Sequence, residues 1–111
     1  MKRIFFNTFL LVSLTTALFA QSPKGEVDCL ILEDENSIIC KYINARSNED
    51  KTITFEWMDP KGEVSRTRDM VVPAGHGSVY DFRYIEGRET GIWVFKVIDG
   101  KNTLQTEFEI K

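Results

Sequence analysis

The strongest constraint in this 111-residue sequence is a β-hairpin predicted for residues 91–111. Its first half, GIWVFKVI, is rich in the aromatic and β-branched residues that favour strands. Its second half, TLQTEFEIK, alternates apolar and polar residues with the period of a strand that is buried on one face. Asp99 and Gly100 between the two halves favour a tight turn, because glycine tolerates a positive φ.

The register of this hairpin depends on the length of its loop. A two-residue loop pairs Phe95 with Leu104, whereas a four-residue loop pairs Val97 with Leu104 and Trp93 with Phe108. Both lengths predict the same inward face, which consists of Trp93, Phe95, Val97, Leu104 and Phe108. We expect a second sheet to cover this face, with Trp93 on a central strand and Trp57 contributed by the facing sheet.

Residues 1–20 are predicted to be a secretory signal peptide. Lys2 and Arg3 precede an apolar run that is shorter than a typical membrane-spanning helix, and Ala20 is a small residue at the expected cleavage point. Removal of this segment leaves 12 of the 14 basic residues against all 17 acidic ones, a net charge of −5. Residues 21–111 then form one small domain without the basic surface that nucleic acid or an anionic membrane would require. The sequence therefore predicts a periplasmic or secreted protein that is not inserted in the membrane.

A second hairpin is predicted for residues 27–43, with the acidic segment EDEN at positions 33–36 as its turn. Cys29 and Cys40 are equally far from the centre of this turn, so an even-length loop places them opposite each other. Two cysteines in such a pair are within reach of a disulfide, and an oxidising compartment favours the bond. A redox-active pair is the weaker alternative, since the CxxC spacing is missing. The sequence therefore predicts a structural Cys29–Cys40 disulfide.

Three further strands are predicted in the middle of the chain. Residues 52–58 form a strand with Ile53, Phe55 and Trp57 facing inward, and a type I turn in DPKG follows. Residues 63–72 return as a more polar strand, in which Arg66 and Arg68 indicate the edge of a sheet. Residues 78–85 form the last of these strands. Together with the two hairpins this predicts an all-β, seven-stranded antiparallel sandwich.

The order of these features resembles immunoglobulin-like β-sandwiches. The pattern WxxPxG from Trp57, a polar strand, a glycine loop, an aromatic strand, then GxWxFxV from Gly91 and FxI from Phe108 is similar to macroglobulin-type or fibronectin-like modules and to small bacterial exported domains. The likeness covers residues 52–111. It implies a role in binding or scaffolding, by analogy of fold. The chain departs from antibody domains in one respect: their disulfide joins the two sheets, whereas Cys29 and Cys40 lie in a single hairpin.

Sites for catalysis or metal binding are weakly supported. His76 is the single histidine and lies between two glycines, with Ser78 as its nearest nucleophile and no nucleophile motif around it. Met58, Met70 and His76 are soft ligands that could bind copper. The acidic residues 33–35 lack the spacing of a calcium loop. We predict no catalytic, cofactor-binding or metal-binding residues.

The aromatic residues are the remaining candidates for a function. We expect the tryptophans and phenylalanines of the strands, Phe82 among them, to fill the core, because a small core needs large side chains. Tyr42, Tyr80 and Tyr84 are the aromatic residues expected to be partly exposed, where they could contact a sugar or a peptide. The sequence thus favours a non-catalytic module that binds another envelope protein. A binder of a metal or a glycan is the alternative, and an enzyme comes third.

Overall fold

Two antiparallel β-sheets make up residues 25–111, the part of the chain that the computed structural model describes. The strands are β1 (Gly25–Leu32), β2 (Ser37–Asn44), β3 (Lys51–Met58), β4 (Val64–Val72), β5 (Ser78–Tyr84), β6 (Gly91–Asp99) and β7 (Asn102–Ile110). One sheet has the order β1-β2-β5 and the other has the order β4-β3-β6-β7. The predicted all-β fold of seven strands is confirmed, while the predicted signal peptide lies outside the described residues.

The first hairpin has the predicted register. A short 3-10 turn at Glu33–Glu35 joins β1 to β2, and Asn36 closes it in the left-handed conformation, with φ 54°. Cys29 therefore lies directly opposite Cys40, and the two residues form a disulfide with their Cα atoms 4.0 Å apart. This bond joins β1 to β2 on the inward face of the three-stranded sheet, where Cys40 is completely buried.

The C-terminal hairpin has the register expected for a four-residue loop. Val97 pairs with Leu104 and Trp93 pairs with Phe108. Asp99 and Asn102 also pair, so that Gly100 and Lys101 alone form the turn, and Gly100 has a φ of 63°. The predicted inward face is confirmed, because Trp93, Phe95, Val97 and Phe108 are all buried.

The hairpin of β3 and β4 forms one side of the four-stranded sheet. The backbone N–H of Gly62 donates to the carbonyl oxygen of Asp59 at 2.9 Å, as the predicted turn requires. Strand β4 is an edge strand, as its arginines predicted. Trp57 pairs with Arg66 and Met58 pairs with Val64, so Ser65 is an extra residue that forms a β-bulge.

The core between the sheets is dominated by aromatic side chains. Its buried members are Ile38, Cys40, Tyr42, Ile53, Phe55, Trp57, Val72, Trp93, Phe95, Val97, Phe108 and Ile110. The expectation that Trp57 comes from the facing sheet was wrong, because β3 pairs directly with β6 and Trp57 lies opposite Phe95. The rings of these two residues meet edge to face at 5.1 Å, a favourable geometry for aromatic pairs. Among residues 25–111, no helix has the length and apolar character needed to cross a membrane.

Candidate binding surface and buried charge clusters

Strand β5 places its aromatic side chains in solvent and its charged side chains in the core. Tyr80, Phe82 and Tyr84 have exposed fractions of 60%, 46% and 57%, whereas Asp81 and Arg83 are 4% and 7% exposed. The pairing with β2 fixes this orientation, because Asp81 lies opposite the buried Cys40. The prediction that Phe82 fills the core was therefore wrong, while the expected exposure of Tyr80 and Tyr84 is confirmed.

The exposed side of the three-stranded sheet carries a continuous apolar surface, which we call the aromatic face. It consists of Leu30, Ile39, Tyr80, Phe82 and Tyr84. Leu30, Ile39 and Phe82 form a row across the three strands, since Ile39 pairs with both of the others. The rings of Phe82 and Tyr84 meet edge to face at 5.7 Å. Beside this row lies an open groove lined by Asp28, Cys29, Leu30, Ile39, Lys41 and Tyr80.

The buried carboxylate of Asp81 is bound by three donors from the opposite sheet. The indole Nε1 of Trp57 donates to Oδ2 at 3.0 Å, and a guanidinium nitrogen of Arg68 donates to Oδ1 at 3.0 Å. Arg66 is more distant, at 3.5 Å from Oδ2. Arg66 and Arg68 lie opposite Trp57 and Phe55 on the inward face of β4, which is why they reach this carboxylate. These contacts explain how β5 can bury a charged residue.

Arg83 also lies in the core, with its guanidinium over the rings of the two tryptophans. Its guanidinium carbon is 5.4 Å from the ring centre of Trp57 and 6.0 Å from that of Trp93, within the range of cation–π attraction. One terminal nitrogen donates to the hydroxyl of Ser65 at 3.1 Å, while the buried Nε has no hydrogen-bond partner. Burial, together with repulsion from Arg88 and Arg66, lowers the pKa of Arg83 to about 10, against the opposing effect of Asp81.

Four arginines converge beside the aromatic face and form what we call the arginine pocket. The pocket is lined by Arg66, Arg68, Arg83, Arg88, Phe82 and Tyr84. Sequence reasoning had identified Arg66 and Arg68 as edge charges and had missed the other two arginines. A signal was nevertheless present, because four of the five arginines after residue 20 lie between positions 66 and 88, on two successive strands and the loop after them.

A partly buried carboxylate, that of Asp99, forms a separate cluster. The hydroxyl of Tyr42 and the ammonium of Lys51 donate to its Oδ2 at 2.7 Å and 2.8 Å, so we call these three residues the Asp99 cluster. Tyr42 is completely buried, and its expected exposure was wrong. Burial, together with the hydrogen bond to Asp99, raises the pKa of Tyr42. Burial alone would raise the pKa of Asp99, but the hydrogen bonds from Lys51 and Tyr42 outweigh it and lower that pKa.

The two methionines considered as copper ligands lie on different strands of the four-stranded sheet. Met70 of β4 pairs with Ile53 of β3. Met58 lies five residues after Ile53 along β3, which places it roughly 17 Å from Met70 at the usual rise per residue. His76 is exposed in the loop after β4, and its Nδ1 lies 3.4 Å from the carbonyl oxygen of Ala74. Residues 25–111 contain no cluster of three or more histidine, cysteine or carboxylate side chains arranged to hold a metal ion.

The exposed aromatic face and the adjacent arginine pocket are the two candidate binding features that we consider for residues 25–111. No protein-family model matches the chain, and no curated protein matches it significantly.

Proposed function

We propose that this protein is a non-catalytic binding module that holds an extended segment of another envelope protein against its aromatic face. The observation that carries the proposal is the orientation of β5. A small core needs large apolar side chains, yet Tyr80, Phe82 and Tyr84 face solvent and two charged residues take the inward positions. Contiguous apolar surface of this kind is typical of interaction sites.

The order of the strands in the two sheets fits the immunoglobulin-like fold that we propose for this chain, and such a fold would support this role. When the strands are named A, B, C, C′, E, F and G in chain order, the sheets become A-B-E and C′-C-F-G. Placing a C′ strand beside C is how variable-type immunoglobulin domains extend their second sheet. Modules of this architecture commonly bind other proteins, and this support is an analogy of fold.

Two observations favour export of the protein, and an exported protein would meet its partner in the cell envelope. The Cys29–Cys40 disulfide suits an oxidising compartment, and the first 20 residues have the sequence pattern of a secretory signal peptide. Both observations favour a periplasmic or secreted location for the protein and for the partner that it meets there.

The charges beside the aromatic face define the chemistry of the partner segment. Leu30, Ile39 and Phe82 form a row suited to apolar side chains, and Arg66 and Arg68 lie beside its β5 end. The side chains of these two arginines remain 35% and 49% exposed. Since complementary charges guide and orient binding, the partner segment combines apolar side chains with at least one carboxylate.

A selection of displayed random peptides tests this proposal. Peptides would be selected on protein purified from cells that express the full chain, and we expect enriched sequences to combine apolar residues with Asp or Glu. The triple variant Tyr80→Ser, Phe82→Ser, Tyr84→Ser should bind these peptides at least about tenfold more weakly, because aromatic side chains dominate most binding interfaces.

The matched control is Val71→Ser combined with Ile92→Ser, which removes apolar groups that are equally exposed on the four-stranded sheet. This control should bind the peptides as the parent does. Equal binding by the triple variant, or no enrichment of any sequence, would contradict the proposal. A dimer in sedimentation experiments that only the triple variant abolishes would instead identify a second copy of this chain as the occupant.

A glycan-binding protein is the second candidate, because the groove places the exposed ring of Tyr80 near Asp28 and Lys41. An aromatic ring flanked by polar groups is an arrangement suited to a sugar. Saturable binding on a glycan array that is lost in Tyr80→Ser, together with failure of the peptide selection, would favour this candidate over the first.

A further inference from the structure

The arginine pocket contains more positive than negative charge. Four guanidinium groups line it, and two of them, those of Arg66 and Arg68, pair with the carboxylate of Asp81, which also accepts a hydrogen bond from Trp57. The chain as a whole carries a net charge of −3, so this concentration of cations is not a consequence of a basic composition. Like charges held together in a partly buried site repel each other unless an anion joins them.

Arg83 supplies the most specific observation. The side chain is 93% buried, yet its Nε has no hydrogen-bond partner. Leaving a buried donor unpaired costs about 1–3 kcal/mol, more when the group is charged, so proteins seldom do so without a reason. Arg83 lines the arginine pocket, so an anion bound there would offset part of the cost of burying its charge.

Arg66, Arg68 and Arg88 add accessible donors at the mouth of the pocket. Arg66 contacts Asp81 only at 3.5 Å and the carbonyl oxygen of Phe82 at 3.4 Å, both long for hydrogen bonds to a guanidinium. Arg88 uses its Nε to bind the carbonyl oxygen of Tyr84 at 3.2 Å. The planar fork of arginine matches the oxygens of carboxylate, sulfate and phosphate groups, which accept two hydrogen bonds side by side.

We propose that the arginine pocket is an oxyanion-binding site, with Arg83 at its base and Arg66, Arg68 and Arg88 around its mouth. Its occupant is a carboxylate of the partner segment that lies on the aromatic face, a part of the proposal that rests on the proposed function. Phe82 and Tyr84 line the pocket and also belong to the aromatic face, so one extended segment reaches both.

Nuclear magnetic resonance of the arginine side chains tests the site directly. The Nε–Hε signals of ¹⁵N-labelled protein, purified from cells that express the full chain, would be followed during titration with sodium acetate, sulfate and phosphate. Chloride would keep the ionic strength constant. We expect the Arg83 signal to shift with saturation, while the signal of Arg46 outside the pocket follows only the bulk salt.

Two glutamine variants form a matched pair. Arg88→Gln removes one guanidinium of the pocket and should weaken anion binding about tenfold, the usual loss for one hydrogen bond to a charged group. Arg46→Gln removes the same charge elsewhere, where the guanidinium donates to the carbonyl oxygen of Gly75, and should leave anion binding unchanged. The dispersion of the backbone amide signals shows whether each variant is folded.

The outcomes separate the site from its occupant. Shifts that do not saturate, or equal effects of Arg88→Gln and Arg46→Gln, would overturn the site. Saturation by sulfate and phosphate but not by acetate would overturn the carboxylate as occupant and assign a tetrahedral oxyanion in its place. Leu30→Ser combined with Tyr80→Ser changes two residues of the aromatic face that do not line the arginine pocket. This variant should still bind the free anions, so failure of the peptide selection and failure of the anion site are distinguishable.

Discussion

The carboxylates of Asp81, which is buried, and of Asp99, which is partly buried, lie in very different surroundings. Asp99 has one cation, Lys51, and one neutral donor, Tyr42, and both bind the same oxygen at less than 3 Å. Asp81 pairs with two guanidinium groups, those of Arg66 and Arg68. Two more arginines line the same pocket, and a buried nitrogen of one of them, Arg83, has no partner. The Asp99 cluster is balanced in charge, and the arginine pocket has an excess of cations.

Because of this difference, we treat the Asp99 cluster as a structural ion pair and the arginine pocket as a candidate anion site. The Asp99 cluster connects β2, β3 and the end of β6, and its hydrogen bonds are made within the protein. The arginine pocket also connects the two sheets, through Asp81, but it retains donors that a ligand can use. Burial of a charge is common in structural ion pairs, so the excess of positive charge, and not burial alone, is what makes the arginine pocket the candidate site.

Removal of Trp93 should have the largest effect on stability. The ring packs in parallel with Phe108 at 6.2 Å between ring centres, lies under Arg83, and donates from Nε1 to the carbonyl oxygen of Glu89. Trp93→Ala leaves a cavity and should lower the free energy of unfolding by about 3–5 kcal/mol. A domain of this size has only about 5 kcal/mol in total, so most molecules should unfold, as urea denaturation would measure.

The control for this variant is His76→Ala, in an exposed loop. Its free energy of unfolding should change by less than about 0.5 kcal/mol. A Trp93→Ala variant as stable as the parent would show that the tryptophan does not support the core beneath the arginine pocket.

Replacing each carboxylate by an amide tests whether the arginine pocket and the Asp99 cluster differ as we infer. Asp81→Asn removes the partner of Arg66 and Arg68 and should cost about 3 kcal/mol. Asp99→Asn should cost about 1–3 kcal/mol, because hydrogen bonds from Lys51 and Tyr42 become weaker. Sodium sulfate should restore more stability to Asp81→Asn than to Asp99→Asn, since only the first variant has a cluster of arginines to receive the anion.

Thermal unfolding of both variants across a sulfate series measures this difference. Sulfate stabilises folded proteins in general, and the comparison between two variants of equal charge removes that effect. Equal gains in melting temperature would show that the two clusters are alike and that the arginine pocket has no special affinity for anions.

Acid should abolish the contribution of Asp99. Its folded-state pKa is lowered below the unfolded value of about 3.9 by the bonds from Lys51 and Tyr42, which more than offset the opposing effect of burial. The ionised carboxylate therefore stabilises the fold above the unfolded pKa, and this stability is lost as the pH falls through the folded pKa. The gap in unfolding free energy between the parent and Asp99→Asn should thus be full near neutral pH and shrink below about pH 4. Urea denaturation of both proteins across that pH range measures it, and a gap that stays constant would contradict the role given to Asp99.

The two hairpins were predictable because neighbouring residues in the sequence determine their turns and the register of their strands. The turn residues and the alternation of side chains fixed the inward face of β6 and β7 and placed Cys29 opposite Cys40. One alternative in the loop of the C-terminal hairpin remained open, and the structure has the register of the longer loop. The pairing of β3 with β6 was missed, because no local pattern determines which strands are neighbours in a sheet.

Strand β5 and the candidate site could not be predicted in this way. Asp81 is stable in the core only because Trp57, Arg66 and Arg68 bind it from the other sheet, and those contacts cross 13 to 24 residues of sequence. Tyr42 is likewise buried through a bond to Asp99, which lies 57 residues away. Considered alone, each strand favours aromatic residues inside and charged residues outside, which is wrong for β5.

The inverted orientation of β5 also has a consequence for how the chain reaches its native state. A slip of one residue against β2 would turn Tyr80, Phe82 and Tyr84 inward and expose both charges, an arrangement that hydrophobic collapse favours. The native pairing is therefore selected by directed hydrogen bonds to Asp81 and not by apolar character, and early compact states can hold β5 in the wrong register. We expect a slow refolding phase that Tyr80→Ser combined with Phe82→Ser removes, because the misaligned state loses its advantage, and stopped-flow fluorescence of the tryptophans would detect its absence.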